Sequence, residues 1–146
     1  MNVDHDQSLR VAIYQLIVDT GFVPSSQTLA AHLKTPHDEV KAGFQRLASG
    51  RVLVLQPDGE ILMANPFSAV PTGFVVESEG KHWWGNCIWD SLGIFAALQR
   101  DGCVRTSCGC CGSAMEVRVA NGRCSGPGLA HFAIPAKHWW DDIVFN

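Results

Sequence analysis

Apolar residues recur at helical spacing from Leu9 through Ala12, Ile13, Leu16 and Ile17. This predicts a helix over residues 8–19, with Ser8 as its N-cap and Gly21 as its stop. Ser26 opens a second, shorter helix over 27–33. After Pro36 a third helix is expected over 37–48, with Val40, Phe44 and Leu47 on one face and Gly50 as its end. The run Val52 to Leu55 reads as a strand, Pro57-Asp58-Gly59 as a turn, and Ile61 to Met63 as the return strand.

The residues from Pro66 to Pro71 read as a linker, and Gly73 to Glu77 as a short strand. Gly80 then turns into an aromatic stretch, His82-Trp83-Trp84, and a helix is expected from about Cys87 to Arg100, closed by Gly102. Val104 to Ser107 and Ala114 to Val119 read as a strand pair around a cysteine-rich turn. Leu129 to Ile134 reads as another strand, Lys137 to Asp142 as a polar helical turn, and Ile143 to Asn146 as the start of a further strand. A sequence that stops there is expected to be shorter than the fold it belongs to. The fold class expected is α+β. A winged-helix-like lobe of three helices and a hairpin (1–66) precedes a small mixed or antiparallel sheet with one helix (67–146).

Three helices followed by a hairpin suggest DNA binding, but charge weakens that reading. Residues 1–66 carry five Lys/Arg against seven Asp/Glu, and Asp38 and Glu39 stand where a recognition helix would meet the bases. A scaffold role is favoured, and no nucleic-acid partner is expected. Over all 146 residues, 47% are hydrophobic and 17% charged, with a net charge of −3. That is enough apolar surface for a core, with no broad attraction for a polyanion. No stretch approaches the roughly 20 apolar residues of a membrane helix, and Met1 to Arg10 lacks a signal pattern, so a cytoplasmic protein without a membrane partner is expected. In that reducing setting the six cysteines are expected as thiols or metal ligands rather than disulfides.

Cys87 and Asp90 stand three residues apart at a helix start, where they would share a face. A carboxylate beside a thiol raises the thiol pKa, while the helix N-terminus lowers it. The pair suits a soft-metal thiolate with a proton donor alongside. The alternative is a structural cysteine with Asp90 capping the helix. Cys108 and Cys111 form a C-x-x-C on a turn. With Cys103, Cys124 or His131 they could make a zinc site or a soft-metal cluster, or they are merely small buried side chains. Trp83, Trp84 and Trp89 could wall an apolar pocket beside Cys87, or be core.

The stretch Trp84-Gly85-Asn86-Cys87-Ile88-Trp89-Asp90-Ser91-Leu92, behind a winged-helix-like lobe, resembles the organomercurial (alkylmercury) lyase family. Val104 to Cys108 with Gly112 and Met115 to Val119, then Gly128-Leu129-Ala130 and the run to Pro135, resemble its following segments. The resemblance implies protonolysis of a carbon–mercury bond, giving a hydrocarbon and thiol-bound Hg(II). It makes Cys87 a mercury ligand, Asp90 the proton donor, and Cys108 a structural cysteine. The family's second catalytic cysteine would fall at or beyond Asn146, which is not a thiol, so Cys111 and Cys124 stand as substitutes. Metal ligands are therefore sought among Cys87, Cys108, Cys111 and Cys124. No cofactor is required, although zinc is possible. The partners implied are a small organomercurial and small thiols or a mercury-accepting reductase. The competing expectations are a non-catalytic binder of Hg, Cu or Zn, and a metal-responsive DNA-binding protein.

Overall fold

The computed structural model describes residues 3–145, with side chains from residue 5. Three helices come first: α1 (Val3–Thr20), α2 (Ser26–Leu33) and α3 (His37–Ser49). α1 begins before the expected cap, so Ser8 lies inside the helix. Its end is as expected: Gly21 takes φ +83°, and its amide donates to Ile17 O at 2.9 Å. Ser25 rather than Ser26 caps α2, its hydroxyl accepting from the Thr28 amide at 3.1 Å.

A three-stranded antiparallel sheet follows, β1 (Leu53–Leu55), β2 (Ile61–Ala64) and β3 (Phe67–Ser68), in that order. β3 occupies the segment expected as a linker. Phe67 and Ser68 are both buried, and two residues are too few for strand alternation to show in the sequence. A second sheet holds β4 (Val75–Ser78), β5 (Lys81–Trp84), β6 (Gly102–Ser107), β7 (Ala114–Ala120) and β8 (Arg123–Ser125), in the order β5-β4-β6-β7-β8. Every pairing is antiparallel, and α4 (Ile88–Leu98) connects β5 to β6. The architecture is α+β.

The strand expected over 129–134 is absent. Gly126-Pro127-Gly128 and Pro135 bracket that run, and Leu129 is 99% exposed. A 3-10 helix (Ala136–Asp141) takes the place of the helical turn, and Ile143 to Phe145 is a turn rather than a strand. Asn146 lies outside the described residues.

One apolar cluster joins the helices to the larger sheet. Leu9, Ile13 and Ile17 of α1 face Val40 and Phe44 of α3, and the cluster continues through Phe67 and Trp83 to Val76, Val104, Ile94 and Phe95. Each such side chain contributes roughly 1.5–3 kcal/mol on burial. Trp83 is 1% exposed, and its indole N–H donates to Ile17 O at 2.8 Å.

The basic residues of α3 are engaged within the chain. Arg46 grips Asp6 through Nε and Nη2 at 2.7–3.0 Å, and Lys41 Nζ donates to Asp58 O at 2.8 Å and Glu60 Oε1 at 3.3 Å. Neither is a spare cation for a phosphate, which agrees with the acidic balance of this part of the chain.

Glu60 also accepts from the Ser26 amide at 2.8 Å and from the Ser26 hydroxyl, latching the β1–β2 turn to the start of α2. Burial pushes the Glu60 carboxyl up, but the Ser26 and Lys41 donors together hold it below its ordinary value. Its stabilising contribution is therefore complete above the unfolded pKa and is lost as pH falls through the lower folded value. Glu60→Gln is expected to cost about 1–3 kcal/mol at neutral pH. Urea titrations of both proteins should converge once the pH is below the folded pKa of Glu60.

Candidate active site

The sequence Trp83-Trp84-Gly85-Asn86-Cys87 carries the chain from β5 into α4. Gly85 is where the backbone closes tightly. Its amide donates to Phe74 O at 3.0 Å, and its carbonyl accepts from Thr72 Oγ1 at 2.6 Å. A Cβ there would collide with the Ser91 hydroxyl and stand 3.0 Å from Ser91 N and Cα. The missing side chain lets the first turn of α4 rest on the strand end.

Cys87 is the N-cap of α4, with φ −151° and ψ −176°, and its Sγ accepts from the Asp90 amide at 3.5 Å. The sequence alternative gave the cap to Asp90, and the structure reverses those parts. Ser91 reinforces the turn, donating its amide at 2.9 Å and its hydroxyl at 2.8 Å to Cys87 O. The Asp90 carboxylate is steered instead by Asn86, whose Nδ2 donates to Asp90 Oδ2 at 2.9 Å. The same amide reaches Asn65 Oδ1 at 3.2 Å and Pro66 O at 3.4 Å. Asn86 Oδ1 is buried with no donor among the described residues.

The electrostatics follow from partial burial. Burial pushes the Cys87 thiol up. The Asp90 amide pulls against that, the Asp90 charge adds to it, and the Trp89 amide pulls back again, leaving a net rise. Burial also raises the Asp90 carboxyl, against the Asn86 donor. The arrangement is a protonated thiol beside a carboxyl with more than ordinary affinity for a proton.

Cys87 and Asp90 are thus brought together as the spacing implied. The four cysteines sought as metal ligands are not. Cys108 follows β6 directly and opens the hairpin turn that also carries Cys111. Cys124 lies on β8 opposite Val119, which pairs with Gly102 at the far end of β6. Among the described residues no three His, Cys, Asp or Glu side chains converge to hold a metal. Neither the zinc set through Cys124 nor that through His131 is assembled.

The three indoles have separate surroundings and form no single wall. Trp83 is core. Trp84 meets Phe22 edge-on at 6.2 Å, and Trp89, 60% exposed, meets Phe132 edge-on at 6.3 Å. Phe132 leans in turn on Trp139 at 5.5 Å. The open groove lined by Val11, Tyr14, Val18, Leu47 and Leu98 holds none of the expected site residues. Sequence reading missed Asn86, Ser91 and Gly85. The signal available was their position, since small or amide side chains flanking a helix-starting cysteine are natural partners for its carbonyl and for a neighbouring acid.

The sequence model of a family described as alkylmercury lyase, MerB, matches residues 67–145, more than half of the chain. Among solved structures, the mercury-bound form of MerB2 is similar in fold, with a TM-score of 0.64 and 23% identity. The match covers 82% of this chain and 58% of that one, so this chain spans less than two thirds of that relative's length. No curated protein matches.

Removing the Asp90 charge should lower the Cys87 pKa, since that charge opposes the thiolate. Alkylation of Cys87 by iodoacetamide, followed by mass spectrometry across pH, should show its midpoint move down in Asp90→Asn. Gly85→Ala should cost about 1–3 kcal/mol in chemical denaturation, because Ser91 and the helix start must shift.

Proposed function

On the premise that the chain belongs to the alkylmercury lyase family, we propose that it cleaves the carbon–mercury bond of a small organomercurial at Cys87 and Asp90. The observation that supports this most is the pairing itself: a half-buried thiol at a helix N-terminus, adjoining an acid whose proton affinity burial has raised. Mercury is a soft cation and takes thiolate in preference to oxygen donors. As Cys87 sulfur bonds to mercury, its proton passes to the Asp90 carboxylate. An ordinary exposed Asp would hold it poorly, whereas this one is biased to keep it.

Asp90 then delivers that proton to the carbon bound to mercury. The carbon–mercury electron pair becomes the new carbon–hydrogen bond, and mercury stays Hg(II), bound to Cys87 sulfur. Thiol and organomercurial go in, hydrocarbon and thiolate-bound Hg(II) come out, and no oxidant is needed. Asn86 acts as a positioning residue, aiming the carboxyl through its 2.9 Å hydrogen bond.

Among the described residues, the groups acting on the Cys87 thiol are Asp90 and the Trp89 amide. A small thiol from solution adds a soft donor that weakens the carbon–mercury bond, and a further thiol or a mercury-accepting reductase draws off the Hg(II). No helix among the described residues is long and apolar enough to cross a membrane. The reading places the protein in the cytoplasm, where small thiols are abundant and its cysteines stay reduced.

Phenylmercury with excess small thiol tests this. The wild-type chain is expected to release benzene at a rate rising with thiol concentration. Cys87→Ser should abolish release, and Asp90→Ala should retain mercury while slowing release by about 100-fold or more. Wild-type protein releasing no benzene above the thiol-only control ends the reading.

A further inference from the structure

Cys108 and Cys111 lie outside the pair just described. The hairpin that carries them is closed by two hydrogen bonds, Gly112 N to Cys108 O and Cys108 N to Ser113 O, each 2.8 Å. Closure turns Cys111 back, so that its sulfur lies 3.0 Å from Ser113 Oγ on the same closed turn that Cys108 opens. Cys108 is half-buried and Cys111 exposed, and a Cβ on either Gly109 or Gly112 would meet nothing within 4 Å. The turn is open to an incoming ion.

The donor set restricts which ion fits. Among the described residues no third ligating side chain joins the two sulfurs, whereas structural zinc takes four ligands. Two thiolates alone suit a soft d10 cation that binds two sulfurs in line.

Sheet register then gives the pair its place. Val75 pairs with Trp84 on one side and with Arg105 on the other, both antiparallel. β5 and β6 therefore run the same way, and both leave the sheet at one end. Cys87 lies three residues past Trp84, and Cys108 three past Arg105. Two strand spacings, roughly 10 Å, separate the paired rows from which they depart.

We propose that Cys108 and Cys111 form a two-sulfur site for soft, linearly coordinated d10 cations, set to receive Hg(II) from the Cys87 end of the sheet. The receiving part rests on the lyase reading, whereas the binding part does not. In the transfer two mercury–sulfur bonds form, to Cys108 and Cys111, and two break, the one to Cys87 and the one to the small thiol that was mercury's other ligand. Of the two thiol protons released, one returns to Cys87 and the other leaves with the displaced small ligand. No redox change occurs.

The test uses Hg(II) alone on the full reduced chain, so it does not depend on catalysis. One equivalent of Hg(II) is added, free thiols are alkylated under native conditions, and the protected cysteines are mapped by mass spectrometry. Cys108 and Cys111 are expected to be protected and Cys87 modified in wild type, with the same pair protected in Cys87→Ser. Cys111→Ser is expected to lose Hg(II) to a competing small thiol at least about tenfold more readily, through loss of the chelate. Protection centred on Cys87 in wild type overturns the receiving role. Protection spread over other cysteines in Cys87→Ser, or unchanged retention in Cys111→Ser, overturns the site.

Discussion

Trp83 is the point at which the helices and the larger sheet are made one body. Its indole fills the space between α1 and the sheet, leans on Phe67 at 6.4 Å, and places its one polar atom on Ile17 O, which also accepts from Gly21 as α1 ends. A buried indole N–H without a partner would cost free energy comparable to a lost hydrogen bond. The position of β5 is therefore tied to the last turn of α1. Lys81 adds a second tie, donating to Val18 O at 3.1 Å. Two residues after Trp83 comes Gly85, and two more bring Cys87. The reactive turn inherits its position from an apolar anchor that takes no part in the chemistry.

At that turn, two influences on the thiol oppose each other. A helix N-terminus ordinarily favours a thiolate, and here the amides of Trp89 and Asp90 do point at Cys87. Burial and the adjacent carboxylate win, and the thiol keeps its proton. A protease-like nucleophile would need the reverse. A thiol meant to exchange its proton for a soft metal does not, because the sulfur–metal bond supplies the driving force for deprotonation. Capping and chemistry thus use the same sulfur, and the carboxyl is left to a separate partner.

Legibility in the sequence followed the length of each pattern. α2, α3 and the β1–β2 hairpin were readable because apolar spacing and Pro/Gly punctuation agreed. The start of α1 was not, since Asp4, His5, Asp6 and Gln7 show no apolar face, and Ser8 offered a false cap. β3 and β5 were missed because one is two residues long and the other, Lys81-His82-Trp83-Trp84, resembles a turn flanked by glycine. The 129–134 run misled in the other direction, having β-like composition but no strand beside it to pair with. For the site, the spacing of Cys87 and Asp90 was visible, yet which of them capped the helix was not. That depended on Asn86 and on a loop, Asn65-Pro66, some twenty residues upstream.

That loop bears on how acid strength is set. Asn86 divides one amide among Asn65, Pro66 and Asp90, so whatever the first two do not hold is offered to the carboxyl. A change in the β2–β3 connection, distant in sequence from the reactive pair, would alter how firmly that amide is shared and with it the readiness of Asp90 to surrender its proton. Backbone position in one sheet is thereby converted into proton affinity at the edge of the other. Drift in the connecting residues can retune the reaction while leaving both reacting groups unchanged.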